Sequence, residues 1–583
     1  MRPPAFLAAI AALCASFLFA ASADDLEGLW KAKLRFGPDA RGPLIIQRTA
    51  RGWSADFLGR ILPVRADGSE LSFELTSGEG SFRGRAPERG SNITGQWTAP
   101  NSRVHGFKYA GPVVLKADGP NRWRGDVTPR DDDFTLYLMV QKRADGTLGA
   151  FMRNPDRNIG VFYNVDHITR EGQTVRLVGS RMGTKEQGVL LSGTYDAGNE
   201  VLSIAFPERG GTYDFKRDDE NSGFYPRGRN PGRYVYRPPP ARDDGWPVGT
   251  LDDADIDRAG IEKFIQMIID TPMDSIRAPM IEGILVARHG KLVVEEYFHN
   301  EHRDKQHETR SAAKSMTATI VGAAMQAGAP LDLSTPVYKA MNAGAFPADL
   351  EPQKRAMTLE HLLTMRAGFF CDDSNDDAPG NEDAMLEQKE EPDFYRYSLR
   401  VPQATPPGGK PVYCSMMPNL AIGVVNRTTG EPVLDLFDRL IASPMKIATY
   451  AWPLDPAGHP YGGGGARFLP RDFMKMGQLM LNGGTWQGRR ILGRDFVQRA
   501  SSPLHDFESV QYGYLWWNMT YPYKDRTLRA FFAGGNGGQV LMVIPDLDLV
   551  IAAYGANYSQ RVGFQVQEKL VPNFILPAVR EGS

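Results

Sequence analysis

Short runs of alternating apolar and polar residues fill positions 24–215; Leu71-Ser-Phe-Glu-Leu75 and Leu136-Tyr-Leu-Met-Val140 are typical. A period of two sends successive side chains to opposite faces of a strand. With Gly, Asp and Asn turns between the runs, the pattern predicts an all-β region, built as a barrel or sandwich so that few edges stay open. Ile93-Thr-Gly-Gln-Trp97 is echoed by Leu191-Ser-Gly-Thr-Tyr195, which suggests a duplicated β unit. Trp30, Trp53, Trp97 and Trp123 are expected in its core, because aromatic side chains carry much of a core's burial. Residues 216–250 lose the alternation. They hold Asn-Pro, Pro-Gly and Pro238-Pro239-Pro240, the composition of a semi-rigid linker. From 251 to 583 longer apolar periods appear. They predict helices near 255–269, 311–327, 358–366, 416–428, 470–482 and 560–580. Strands are predicted at 281–287 and 291–298 around the turn His289-Gly290, and at 512–517, 539–544 and 547–554. Strands at both ends with helices between them predict an α/β domain, one antiparallel sheet flanked by helices.

Composition narrows the class. Apolar residues make up 42% and charged residues 23% of the 583, which excludes a mainly disordered, collagen-like or coiled-coil chain. Lys+Arg 67 against Asp+Glu 69 leaves a net charge of −2, so no nucleic-acid partner is expected. Arg2, the apolar stretch 6–20 and Ala21-Ser22-Ala23 before Asp24-Asp25 read as a signal peptide over 1–23. The mature chain is then periplasmic or secreted, with no transmembrane span. Leu13 before Cys14 does not suit a lipoprotein signal. Cys371 and Cys414 remain, and in an oxidising compartment they are expected to pair; two separate buried thiols are the alternative.

Candidate chemistry begins at Ser311-Ala-Ala-Lys314, at the head of an apolar helix. A spacing of three places the lysine on the same face as the serine, and the helix start offers free N–H groups to an alkoxide. The motif alone is weak. Ser443-Pro-Met-Lys446 matches it too, but Pro444 follows that serine and no long apolar helix follows. Tyr413-Cys414-Ser415 comes after the turn 406–410 and just before a helix. In an extended segment its two hydroxyls face one side. Gly534-Gly-Asn-Gly-Gly-Gln539 enters a strand where a ligand can approach the backbone closely.

In this order, the three segments resemble the serine β-lactamase and penicillin-binding-protein superfamily. The resemblance covers 251–583. It is nearest to the branch of class C β-lactamases, D-alanyl-D-alanine peptidases, esterases and 6-aminohexanoate-dimer hydrolase. Thr358-Leu-Glu-His-Leu-Leu-Thr-Met365, Tyr461-Gly-Gly-Gly-Gly-Ala-Arg467, Arg471-Asp-Phe-Met-Lys-Met-Gly477 and Tyr512-Gly-Tyr-Leu-Trp-Trp517 resemble that branch as well. The resemblance implies a serine hydrolase that acylates Ser311, with Lys314 beside it and Tyr413 as general base and acid. It implies substrate contacts from Ser415, Asn536, Gly538 and Gln539. Ser415 would bond Lys314 or substrate, and the N–H groups of Ser311 and Gln539 would form the oxyanion hole. Asn536 stands where relatives carry Lys or His, and Ser415 where many carry Asn, which points away from a true β-lactamase.

No metal or cofactor is implied. His299, His302 and His307 lie in a charged stretch without H-E-x-x-H and read as a solvated loop. Gly462–Gly465 lacks the Lys-Ser/Thr ending of a phosphate loop and reads as a flexible turn near the cleft. The expected substrate is a small molecule or peptide carrying an ester or amide. The alternative is an idle envelope protein that binds a glycan, lipid or protein through its β domain.

Overall fold

The computed structural model describes residues 23–35, 40–86, 92–100, 107–128, 133–155, 157–507 and 510–580. The signal-peptide reading falls almost entirely on residues 1–22, outside the described residues. Two compact units emerge. The smaller is a closed barrel of strands Gly28–Arg35, Asp133–Lys142, Leu148–Arg153, Tyr163–Glu171, Thr174–Arg181, Gly188–Asp196, Val201–Phe206 and Gly211–Arg217. The first and last strands close it, with Trp30 opposite Arg217. Trp30 and Tyr195 pack edge to face in its core, 5.8 Å apart.

The larger unit contains a second closed set of antiparallel strands, from Gly42–Thr49 to Arg122–Val127. Its ends pair Gly42 with Val127, and Lys108–Ala117 returns to pair with Arg122–Val127. Its core holds Leu44, Ile46, Phe57, Phe82, Trp97 and Trp123. The chain of this barrel is inserted after the first strand of the other. Trp97 and Tyr195, the two ends of the sequence echo, therefore belong to separate barrels, each on the sixth strand in chain order.

The rest of the larger unit is the α/β domain. Its sheet comprises β1 (Ile281–Arg288), β2 (Lys291–Tyr297), β3 (His505–Phe507), β4 (Val510–Tyr512), β5 (Trp517–Tyr523), β6 (Arg526–Gly535), β7 (Gln539–Ile544) and β8 (Leu549–Gly555). They run antiparallel in the order β2-β1-β8-β7-β6-β5-β4-β3. The central strands are buried on both faces, so they read as continuous apolar runs. Leu285, Leu541 and Val550 face one core, while Ile284, Val540 and Ile551 face the other.

The second core is covered by α1 (Arg258–Ile269), whose Ile261, Phe264, Ile265, Ile268 and Ile269 form one buried stripe. The first core holds α2 (Ala313–Gln326), α3 (Met416–Thr429) and α4 (Pro470–Leu481). Gly477 lets α4 lie on the sheet, since a Cβ there would stand 2.8 Å from both Leu541 and Val550.

Three predicted elements differ. Residues 513–516 form a buried turn between β4 and β5 rather than a strand, with Leu515 at φ 58°. The helix expected at 358–366 stops after Leu363, since Met365 takes a left-handed φ of 57°. The C-terminal helix is a chain of 3-10, π and α turns from Arg561 to Ala578. Pro572, which lacks an N–H, sits inside its π segment.

The units also divide the chain differently from its composition. Within the larger unit, Tyr450–Leu454 adds to the barrel strand Lys108–Ala117, pairing Trp452 with Ala110. Arg83 reaches Asp435 at 2.9 Å. The Pro-rich stretch packs down: Tyr234 and Tyr236 join the core under α1, and the Tyr236 hydroxyl donates to Val293 O at 2.8 Å. Trp246 is buried and donates to Arg471 O at 3.0 Å. Among the described residues no helix is long and apolar enough to cross a membrane.

Candidate active site

Ser311 lies on the 3-10 turn Arg310–Ala312 that leads into α2. Arg310 holds a left-handed φ of 50°, a strained conformation of the kind that clusters at functional turns. Its carbonyl accepts from Gly465 N at 3.2 Å, and its guanidinium lies 4.3 Å from the Tyr558 ring. One helical turn on, the Lys314 ammonium donates to Ser311 Oγ at 2.9 Å and to Gly463 O at 2.5 Å. It also sits 4.9 Å from the centroid of the Tyr413 ring. Tyr413 is half-buried. It stacks on Trp517 at 5.8 Å and meets Phe507 edge-on. Ser311, Lys314 and Tyr413 thus converge from a helix start and an extended segment.

Lys314 is 2% exposed. Burial pushes its pKa down, but the negative charges of Tyr413, Glu382 and Asp373 outweigh it and hold the group above the ordinary lysine value. The lysine is therefore an ammonium at neutral pH. It can steady a phenolate or an alkoxide but not accept a proton.

The glycine run is not a flexible turn. Gly462, Gly463 and Gly464 are buried, and Gly464 lies against the Arg310–Ala312 turn. Thr317 Oγ1 donates to Gly462 O at 2.8 Å, and Thr309 donates to Ala466 O through both N and Oγ1. A side chain at 463 would stand 2.2 Å from the Tyr461 hydroxyl and 2.8 Å from Ser415 O. Gly535, opposite Gln539 in the β6–β7 register, leaves 2.4 Å between a would-be Cβ and Thr309 O. The start of β7 thereby comes close to Ser311.

The other expected contacts are placed differently from one another. Ser415 is buried, and its hydroxyl donates to Asp373 Oδ2 at 2.6 Å rather than facing the cleft. Asn536 is exposed at the β6–β7 turn, with its amide oxygen accepting from Ser559 N at 2.8 Å. Gly538 has φ 106°, which glycine adopts freely. The Gln539 side chain turns inward and donates to Gly555 O at 2.5 Å, which leaves only its main chain for a substrate. Cys371 and Cys414 are bonded, Cα to Cα 5.8 Å.

Two residues at this site were not singled out from the sequence, Asp373 and Glu382. The legible signal was the disulfide, since pairing Cys371 with Cys414 brings 372–373 alongside 413–415. His299 and His307 are buried rather than solvated. His299 Nδ1 meets Gly223 O at 3.1 Å, and His307 packs on Tyr554. Among the described residues, Asp393, Asp455 and His459 bring metal-ligating atoms within 4.8 Å of one another. Backbone N–H groups of Phe394, Tyr395, Arg396 and His459 already occupy those carboxylates. A hydrogen bond to Asp455 raises the His459 pKa, which favours the imidazolium over a ligand.

The family model described as Beta-lactamase matches residues 273–563. Among solved structures, the chain is similar to a protein of Bacillus anthracis described as a 6-aminohexanoate-dimer hydrolase. Identity there is 20% and the TM-score 0.42, over 50% of this chain and 78% of that one. A D-stereospecific amidohydrolase from Streptomyces sp. matches at 14% identity and TM-score 0.41, over 54% and 99%. A penicillin-binding-protein homologue from Caulobacter crescentus matches at 13% and 0.40, over 51% and 91%.

Proposed function

We propose, from the match of residues 273–563 to the Beta-lactamase family model, that the chain is an exported serine hydrolase cleaving an ester or amide through an acyl-enzyme on Ser311. The observation that carries the reading is the Lys314 ammonium, 2.9 Å from Ser311 Oγ and seated against the Tyr413 ring. Ser311 Oγ attacks the acyl carbonyl as its proton passes to the Tyr413 phenolate, which the ammonium stabilises. The carbonyl oxygen gains negative charge and is held by the N–H groups of Ser311 and Gln539. Losing one such donor costs about 2.7–4 kcal/mol. Tyr413 then protonates the departing alkoxide or amine. In the second half it takes a proton from water, which attacks the acyl carbon, and passes that proton to Ser311 Oγ as the acyl–serine bond breaks.

The neutral Asn536 favours substrates without an obligatory carboxylate, because neutral hydrogen bonds are about half as strong as charge-assisted ones. Export is supported by the N-terminal leader pattern and by the disulfide, since disulfides persist in oxidising compartments.

The test is labelling of the folded full-length protein with a fluorophosphonate, followed by peptide mapping. The expected result is one adduct, on Ser311, absent from Ser311→Ala. An unlabelled wild-type protein, or a label that persists in Ser311→Ala, overturns the reading. An unlabelled protein leaves an idle scaffold with binding barrels.

A further inference from the structure

The charges of two carboxylates, Asp373 and Glu382, act on Lys314, and the acyl transfer uses neither. Asp373 is held from three directions. Its N–H donates to Tyr413 O at 3.0 Å. Its Oδ2 accepts from Ser415 N at 2.8 Å and from Ser415 Oγ at 2.6 Å. Its Oδ1 accepts from Glu382 N at 3.1 Å. One residue therefore grips both 413 and 415, while Cys414 between them is bonded to Cys371, two residues before Asp373. From Glu382 the connection continues. The Tyr461 hydroxyl donates to Glu382 Oε1 and stands where a Cβ on Gly463 would be, and the Gly463 carbonyl receives the Lys314 ammonium. The ring closes where that ammonium faces Tyr413.

We infer that Asp373 is a positioning residue of this hydrolase, acting through Tyr413 and Lys314. Its main chain and carboxylate fix the segment Tyr413-Cys414-Ser415, and its charge, together with that of Glu382, balances the buried ammonium. The inference rests on the acyl transfer proposed at Ser311. Its physical basis is the desolvation of Lys314. A buried cation without a counter-charge gives up its proton, and two of the ammonium's acceptors, Ser311 Oγ and Gly463 O, are neutral. The groups that raise the lysine are Tyr413, Glu382 and Asp373. Asp373 is itself lifted above the ordinary carboxylate range, first by burial and further by Glu382, with Lys314 and Ser415 pulling the other way. The site then depends on the lysine keeping its proton, and the negative charge of Asp373 and Glu382 raises the lysine's pKa.

The experiment measures the pH dependence of Ser311 labelling by a fluorophosphonate. It uses the full-length wild type, Asp373→Asn, Asp373→Glu and Glu382→Gln, with the disulfide verified by intact mass. Asp373→Asn keeps the side chain's size and removes its charge. Labelling is expected to slow about ten- to a hundredfold at its optimum, and the alkaline limb of the profile, where the lysine loses its proton, should move to lower pH by roughly half a unit to one unit. Glu382→Gln should move that limb the same way with a smaller loss of rate, and Asp373→Glu should restore its position. A slower rate with that limb unmoved in Asp373→Asn would mean a purely structural role and would overturn the inference, as would an unchanged rate. If Asp373→Asn does not fold, an unmoved limb in Glu382→Gln overturns it. Labelled wild type with unmoved variants defeats this inference alone, whereas unlabelled wild type defeats the acyl-transfer reading beneath it.

Discussion

Tyr413→Phe removes one hydroxyl and leaves the ring where Trp517, Phe507 and the Lys314 ammonium hold it. The variant should therefore melt like the wild type while its turnover of a p-nitrophenyl ester falls by about 10²–10⁴, the usual worth of a positioned general acid–base. Near-wild-type kcat would remove Tyr413 from the chemistry. A second single-residue prediction lies away from the site. Asp438 is clamped by Gln96 Nε2 at 2.6 Å and the Tyr450 hydroxyl at 2.7 Å, and burial lifts its pKa to about 7. Unfolded, it ionises near ~3.9. Its contribution to stability is thus fully present below that value and is lost as pH rises through 7. Asp438→Asn cannot ionise, so it should gain on the wild type by on the order of 2 kcal/mol between pH 5 and pH 8. Equal differences in denaturation midpoint at the two pH values would show that Asp438 is not protonated in the fold.

Among the elements, the glycine run 462–465 is closely hemmed in. Gly463→Ala places a Cβ 2.2 Å from the Tyr461 hydroxyl. Either that hydroxyl leaves Glu382 or the loop leaves Lys314. Strain of this kind costs about 1–3 kcal/mol, and labelling of Ser311 should slow beyond what the loss of stability explains. Calorimetry beside labelling at a temperature well below the melt separates the two, and an unchanged labelling rate would free the loop of any role at Lys314. The sequence read this run as a mobile turn because glycine permits turns wherever it occurs. Only the approach of Tyr461, Ser415 and Arg310 shows that it is there to admit neighbours. The segment 512–517 went astray for a related reason. Its aromatic residues suit a strand, yet Tyr514, Leu515 and Trp516 are buried as a turn, with Leu515 O accepting from Ser315 Oγ at 2.5 Å.

At the scale of the whole molecule, composition suggests that a chain starting near residue 245 folds alone. The contacts of the larger unit argue otherwise. Truncation there strips the strand that pairs with Tyr450–Leu454, the partner of Asp435, and the buried Tyr234 and Tyr236. Each large apolar side chain moved between core and water is worth about 1.5–3 kcal/mol. Such a truncated protein is expected to be insoluble, or soluble without labelling at Ser311. A soluble, fully labelled product would show that the barrel strands add nothing to the site.

The sequence by itself determined what depends on neighbours along the chain. Ser311 and Lys314 share a face because three residues are nearly one helical turn. Tyr413 and Ser415 were legible as a pair from the period of two, even though the serine faces Asp373. The pairing of the two cysteines was expected from their even number and the leader-like N terminus, and the antiparallel sheet from apolar runs placed at both ends of the domain. Tertiary structure decided which distant groups meet. Asp373 and Glu382 help to hold the Lys314 pKa up, Gln96 meets Asp438 across 342 residues, and one barrel interrupts the other. Periodicity fixes the direction of a side chain relative to its own helix or strand. It carries no information about which other element will lie opposite, and that is settled only when burial of both sheet faces forces remote segments into one core.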